Sequence, residues 1–190
     1  MNLANKITVS RFFIAILYFV IFDIFAIPHA KIREGWAWGI DLALLLFLTA
    51  AATDWVDGYI ARKYDIVTDF GRVTDPFVDK IVVCGAFVLF LGQDDLRRLM
   101  PPWMVVVIIA REFLVNSLRS LVESKGIAFG ASFWGKQKMV LQCICISCAL
   151  FYLGHLRGKE WAESMLMALF YLTVLSTVAL SPIAARMFSP

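Results

Sequence analysis

Between Thr53 and Lys80 the chain reads TDWVDGYIARKYDIVTDFGRVTDPFVDK, with six aspartates in 26 positions: Asp54, Asp57, Asp65, Asp69, Asp75 and Asp79. Grouped carboxylates can hold hard divalent cations through oxygen or act as general bases. At the helical period, Asp57, Gly58, Ala61 and Arg62 all fall within about 80° of Asp54, on one stripe. Gly71, Asp75 and Asp79 follow at i, i+4 and i+8, again on one side; Pro76 between them is a candidate kink. The short link between the two segments predicts antiparallel helices, so Asp54, Asp57, Asp75 and Asp79 should converge. Asp65 and Asp69 belong to the turn and are expected to be solvated. Four converging anions repel one another and are costly to bury unless neutralised. Two divalent cations would remove both problems, and all-oxygen ligation favours Mg²⁺, Mn²⁺ or Ca²⁺ over Zn²⁺. The alternative is a set of interfacial salt bridges to Arg62, Lys63, Arg72 and Lys80.

The surrounding sequence is strongly apolar: 61% of the 190 residues are hydrophobic and 17% charged. An ordinary soluble domain is about 45–50% apolar, so the elements that position these aspartates are expected to lie in a membrane. A spanning helix needs about 20 apolar residues. Six runs qualify: Ile7–Ile27, Trp36–Ala61, Gly71–Gly92, Trp103–Val122, Phe133–Gly154 and Ala162–Ala184. The expected fold is therefore an all-α integral membrane protein with six transmembrane helices, one domain over residues 1–190. The opening MNLANKITVSRF could add a short interfacial helix before the first span, and that first run is expected to be retained rather than cleaved. A net charge of +3 implies no strongly polyanionic partner, and without a basic tail or arginine-rich run no nucleic-acid partner is expected. Cys84, Cys143, Cys145 and Cys148 sit in apolar runs and read as packing residues rather than a metal cluster.

Only Lys31, Arg33, Arg97, Arg98, Arg157 and Lys159, six of the 18 basic residues, fall in the odd-numbered connections. The positive-inside tendency then puts both termini and the aspartate segment in the cytoplasm. Trp36, Trp38, Trp103 and Trp161 read as interfacial anchors. From Asp79 to Gly92 is roughly 20 Å of helix, so the aspartates should lie near the cytoplasmic edge of the bilayer, at headgroup level.

The pattern Asp54-x-x-Asp57-Gly58-x-x-Ala61-Arg62, eight residues, Gly71-x-x-x-Asp75-x-x-x-Asp79 resembles the signature of the CDP-alcohol phosphotransferase family at every fixed position. The resemblance covers essentially the whole chain. It implies an enzyme that joins an alcohol to the phosphatidyl group of a CDP-lipid and releases CMP, using two divalent cations. It implies that Asp54, Asp57, Asp75 and Asp79 are metal ligands, with Asp79 also the general base. Gly58, Ala61, Arg62 and Gly71 would line the CDP pocket. NLANKITVSR resembles the family's opening and adds Asn5 and Thr8 to that pocket. Arg11 is retained, and Ala4 stands where proline is common. A homodimer is implied as well.

The signature leaves the acceptor open. Arg111-Glu112, Leu118-Arg119, Gly135-Lys136-x-Lys138 and Gln142 resemble the bacterial branch of the family whose acceptor is sn-glycerol 3-phosphate. Met139 departs from the threonine usual there. This implies CDP-diacylglycerol and glycerol 3-phosphate as substrates, phosphatidylglycerophosphate and CMP as products, and a multi-pass protein of the bacterial inner (cytoplasmic) membrane. A dianionic phosphate calls for two or three cationic groups, and Arg111, Arg119, Lys136 and Lys138 are the candidates. On a helix Glu112, Asn116 and Arg119 share a face with Arg111 beside them. Inositol phosphate, serine or phosphatidylglycerol are the other acceptors this chemistry would admit. An ion-coupled transporter would also carry intramembrane carboxylates, but near the midplane and with inverted repeats. Neither feature is present here.

Overall fold

The computed structural model describes residues 3–26, 37–64, 69–124 and 133–179. Among them it is all-helical: α1 (Leu3–Ala26), α2 (Ala37–Tyr64), α3 (Asp69–Phe90), α4 (Asp94–Leu99), α5 (Pro102–Ser124), α6 (Phe133–Phe151) and α7 (Glu160–Ala179). A π-helical turn, Tyr152–Leu156, ends α6. The six long helices lie over the six apolar runs.

Three of them are long and apolar enough to cross a membrane outright, through Val9–Ala26, Gln137–Leu156 and Glu160–Val178. In α2 and α3 the apolar stretches are shorter, Ala37–Thr53 and Lys80–Phe90. Their remaining turns carry the charged signature. The chain is thus a helical membrane protein whose polar segment is built into the ends of two of its helices.

α1 shows how the sequence encodes its place. Arg11, Ala15, Tyr18, Phe22 and Ala26 recur at helical spacing and are buried, while Phe13, Leu17, Val20 and Ile24 are exposed. A helix apolar on both faces has one side for the protein and the other for lipid. The helix is unbroken from Leu3, so the separate interfacial helix expected ahead of the first span is not formed. Nothing in Leu3–Phe13 is a glycine or proline that would turn the chain.

α1 packs chiefly on α2 and α3. At Gly39 of α2 and Gly85 of α3 an added Cβ would overlap the rings of Phe25 and Phe19, so both glycines permit close approach to α1. Tyr18, Phe22, Phe47, Phe87 and Phe90 fill the space between the three helices, with Tyr18–Phe47 centroids 5.8 Å apart and Phe22–Phe90 5.6 Å apart. α3 continues as a helix through Pro76.

Residues 93–100 read as a loop from sequence but contain α4. Its first turn holds Asp94 and Asp95 and its last turn Arg97 and Arg98, in keeping with the helix dipole. Leu96, Leu99 and Met100 are buried beneath it. The Trp103 ring lies 6.5 Å from Tyr171, well along α7. α5 therefore starts deeper than α7, and Trp103 is exposed beside the middle of that helix rather than at its end. Asp95 of α4 pairs with Arg157, and Tyr152 Oη donates to Glu163 Oε1 at 2.9 Å. Gly158, at φ 79°, makes the left-handed turn into α7.

Candidate active site

The signature aspartates occupy backbone that is helical throughout, in the last turns of α2 and the first turns of α3. The one-sided spacings of Asp54 and Asp57 and of Asp75 and Asp79 are therefore kept. The side chains of these four, and of Gly58, Ala61, Arg62 and Gly71, lie outside the described residues. The same holds for Asn5 and Thr8 on α1, Arg119 on α5 and Lys136 on α6, whereas Arg111 and Lys138 are described. Asp65 falls outside the described residues, and Asp69 is the first residue of α3 rather than part of a turn.

What the structure brings together lies one helical turn farther in. Ala50 and Ala51 of α2, Val82 and Val83 of α3, Arg11 of α1 and Met139 and Cys143 of α6 line a cavity of about 20 Å³, room for one water molecule. Ala50 and Ala51 precede Asp54 by four and three positions, and Val82 and Val83 follow Asp79 by three and four. Such positions are stacked neighbours on a helix face. The two aspartate stripes thus rise from helices that meet at a shared cavity, as the antiparallel reading requires. An all-carboxylate donor set on two facing helices suits hard, oxygen-seeking divalent cations.

Arg11 was visible in the sequence only as a retained position of the opening stretch. The structure buries it to 1% exposure in the wall of that cavity. Charged residues buried within apolar helices are expensive and mark function, and here the cation lines a cavity shared by the two helices that carry the signature. Its signal in the sequence was an arginine inside an apolar run, which composition alone does not separate from a topology signal.

Lys138 of α6 is ion-paired with Glu112 of α5. Gln142 Nε2 donates to the same carboxylate oxygen, Glu112 Oε1, at 3.2 Å. All three are buried. Arg111 is half-buried beside them, and its Nε has no hydrogen-bond partner among the described residues. Glu112 continues the buried stripe of Met104 and Ile108, while Asn116, expected on the same face, is exposed. Of the cysteines, Cys145 is buried, Cys84 and Cys143 are half-buried and Cys148 is exposed, and none is in a disulfide; the packing role expected of all four holds for the first three.

Residues 1–179 match the family described as CDP-alcohol phosphatidyltransferase. The chain belongs to that family. It is 40% identical over 156 residues to a Bacillus subtilis protein named CDP-diacylglycerol–glycerol-3-phosphate 3-phosphatidyltransferase, covering 80% of this chain and 77% of that one. Proteins of the same name from Rickettsia typhi and Haemophilus influenzae are 35% and 30% identical, covering 77% and 72% of this chain and 74% and 71% of theirs. Members of the CDP-alcohol phosphatidyltransferase family generally depend on divalent metal.

Proposed function

We propose that this protein transfers the phosphatidyl group of CDP-diacylglycerol to sn-glycerol 3-phosphate, releasing CMP and phosphatidylglycerophosphate. The observation that carries the chemistry is the pair of aspartate stripes on helices that meet at one cavity. The names of the three relatives favour glycerol 3-phosphate as acceptor, as does the cluster of Arg111, Glu112, Lys138 and Gln142 beside α3.

In this reading Asp54, Asp57, Asp75 and Asp79 would hold two divalent cations, Mg²⁺ or Mn²⁺, which would supply charge neutralisation for the pyrophosphate. Asn5, Thr8, Gly58, Ala61, Arg62 and Gly71 line the CDP pocket, where small residues admit the nucleotide close to the backbone. Arg111, Arg119, Lys136 and Lys138 form the cationic side that receives the acceptor phosphate. Asp79 takes the proton from the acceptor hydroxyl as its oxygen bonds to the lipid-bearing phosphorus. The bond from that phosphorus to the anhydride oxygen breaks, and the electron pair leaves with CMP.

The reading includes six spans (α1, α2, α3, α5, α6 and α7) in a single domain of the bacterial inner membrane, with the aspartates facing the cytoplasm. Lysine and arginine placement supports that orientation. A site at the bilayer edge lets the diacyl chains stay in lipid while CMP departs into water. A homodimer completes the reading; crosslinking in native membranes that yields only monomer would remove it.

Purified protein given CDP-diacylglycerol and each acceptor in turn tests the acceptor. Turnover with glycerol 3-phosphate and not with serine, inositol phosphate or phosphatidylglycerol is expected. Turnover with one of those others alone would overturn the choice.

A further inference from the structure

Glu112 and Gln142 belong to the stretches that resemble the glycerol-phosphate branch, yet the proposed reaction gives neither a task. The structure ties both to Lys138. The ion pair joins residues 26 positions apart, and Gln142, one turn along α6, donates to the same oxygen of Glu112. The side chains of Lys138 and Glu112 are 9% and 11% exposed. Among the described residues α5 packs on α3 and α7 and not closely on α6. These long side chains therefore cross a gap between α5 and α6.

The gap is near the chemistry. Lys80 and Arg111 lie within electrostatic reach of Lys138, and Cys84 lies within reach of both Glu112 and Lys138. Cys84 is five residues from Asp79, about 7.5 Å along α3. Met139 and Cys143, adjacent in sequence to Lys138 and Gln142, line the cavity beneath the aspartates.

Lys138 precedes Met139, which lines the cavity shared by the two aspartate-bearing helices. A lysine's flexible stem leaves its ammonium free to compete with cations for nearby carboxylate oxygens. Glu112 opposes that by holding the ammonium on the α5 side, and Gln142 in turn holds Glu112. An ammonium has three donors. Glu112 takes one, and the other two have no partner among the described residues.

We propose that Glu112, braced by Gln142, is a positioning residue for the acceptor. It fixes the Lys138 ammonium in the α5–α6 gap, where the remaining donors meet the phosphate of the alcohol substrate. This rests on the proposed acceptor reading, and it gives Glu112 its effect through Lys138 alone.

The test is a double-mutant cycle on the full-length protein in detergent, with KM measured separately for glycerol 3-phosphate and CDP-diacylglycerol. Glu112→Gln and Lys138→Met should each raise KM for glycerol 3-phosphate about tenfold, the size of one lost charge-assisted contact. KM for CDP-diacylglycerol should stay within about twofold. In the Lys138→Met background, Glu112→Gln should add nothing. Lys138→Arg, which keeps the pair, should stay close to wild type; if Glu112→Gln does not fold, Glu112→Asp carries the same cycle. The proposal is overturned if the two effects multiply, if KM for CDP-diacylglycerol rises equally, or if the glutamate variant leaves KM for glycerol 3-phosphate unchanged. A wild-type protein that ignores glycerol 3-phosphate overturns the acceptor reading, and this inference with it. An additive cycle in a protein that uses glycerol 3-phosphate overturns this inference alone.

Discussion

His155, in the π-helical turn that ends α6, lies 2.8 Å from Asp41 near the start of α2. The imidazole also packs against Phe151, with tilted rings whose centroids are 4.9 Å apart. Asp41 precedes Asp54 by about 20 Å of helix, so this pair fastens the end of the bundle farthest from the signature. Both side chains are nearly half exposed, and exposed pairs contribute at most about 1 kcal/mol. Replacing His155 with alanine should lower the thermal midpoint by no more than a few degrees and leave both KM values unchanged. A changed KM would mean that the two ends of α2 are coupled.

Arg11 should behave very differently. It is buried in the wall of a cavity that it shares with Ala50, Ala51, Val82 and Val83, one helical turn from Asp54 and Asp79, and under the proposed function its charge would offset part of theirs. Arg11→Met should then cut turnover at least tenfold and shift the divalent-ion concentration that gives half-maximal CMP release. Arg11→Lys keeps the charge but not the planar fork and should recover part of the activity. Unchanged metal dependence in Arg11→Met would leave the arginine a purely structural residue.

The close approach of α1 and α2 depends on one hydrogen atom. A methyl at Gly39 would meet the base of the Phe25 ring, whereas one at Gly154 would find nothing nearer than 3.5 Å. Gly39→Ala should destabilise the protein by about 1–3 kcal/mol, the usual size of overpacking, and Gly154→Ala should be tolerated. Thermal unfolding of the two variants in the same detergent decides the matter, and equal midpoints would contradict the packing described.

Asp79 is proposed both to hold metal and to act as base, whereas Asp54 is proposed to hold metal alone. Asp79→Asn and Asp54→Asn should therefore both raise the divalent-ion concentration needed to bind CDP-diacylglycerol. At saturating ion Asp79→Asn should still lose at least about a hundredfold in turnover, the ordinary contribution of a general base, and Asp54→Asn should lose less. CMP release by Asp79→Asn at the wild-type rate would remove the base assignment.

Much of this was legible before any coordinates. Apolar runs locate the long helices α1, α2, α3, α5, α6 and α7, because in lipid each helix must bond its own backbone; among the described residues three of the six are long and apolar enough to cross a membrane. The aspartate spacings are equally plain, since a helix maps sequence distance directly onto a face. What stayed hidden depends on depth and partners. α4 is six residues long, too short for a periodic pattern, and its acid-then-base order was the one available hint. The π turn left no mark in composition, yet it sets the register of His155 and Tyr152. Lys138 and Arg111 read alike as cations near a helix end. Only packing shows that one is held by Glu112 while the other keeps a buried Nε unpartnered among the described residues. Arg11 resembled a topology signal until its burial was known.

The most direct measurement is CMP release by the purified protein in detergent with CDP-diacylglycerol, run with and without glycerol 3-phosphate and with and without a chelator. CMP should appear only when glycerol 3-phosphate and Mg²⁺ or Mn²⁺ are both present, and the lipid product should be phosphatidylglycerophosphate. Release that persists after the divalent ions are removed, or that does not need glycerol 3-phosphate, would contradict the account.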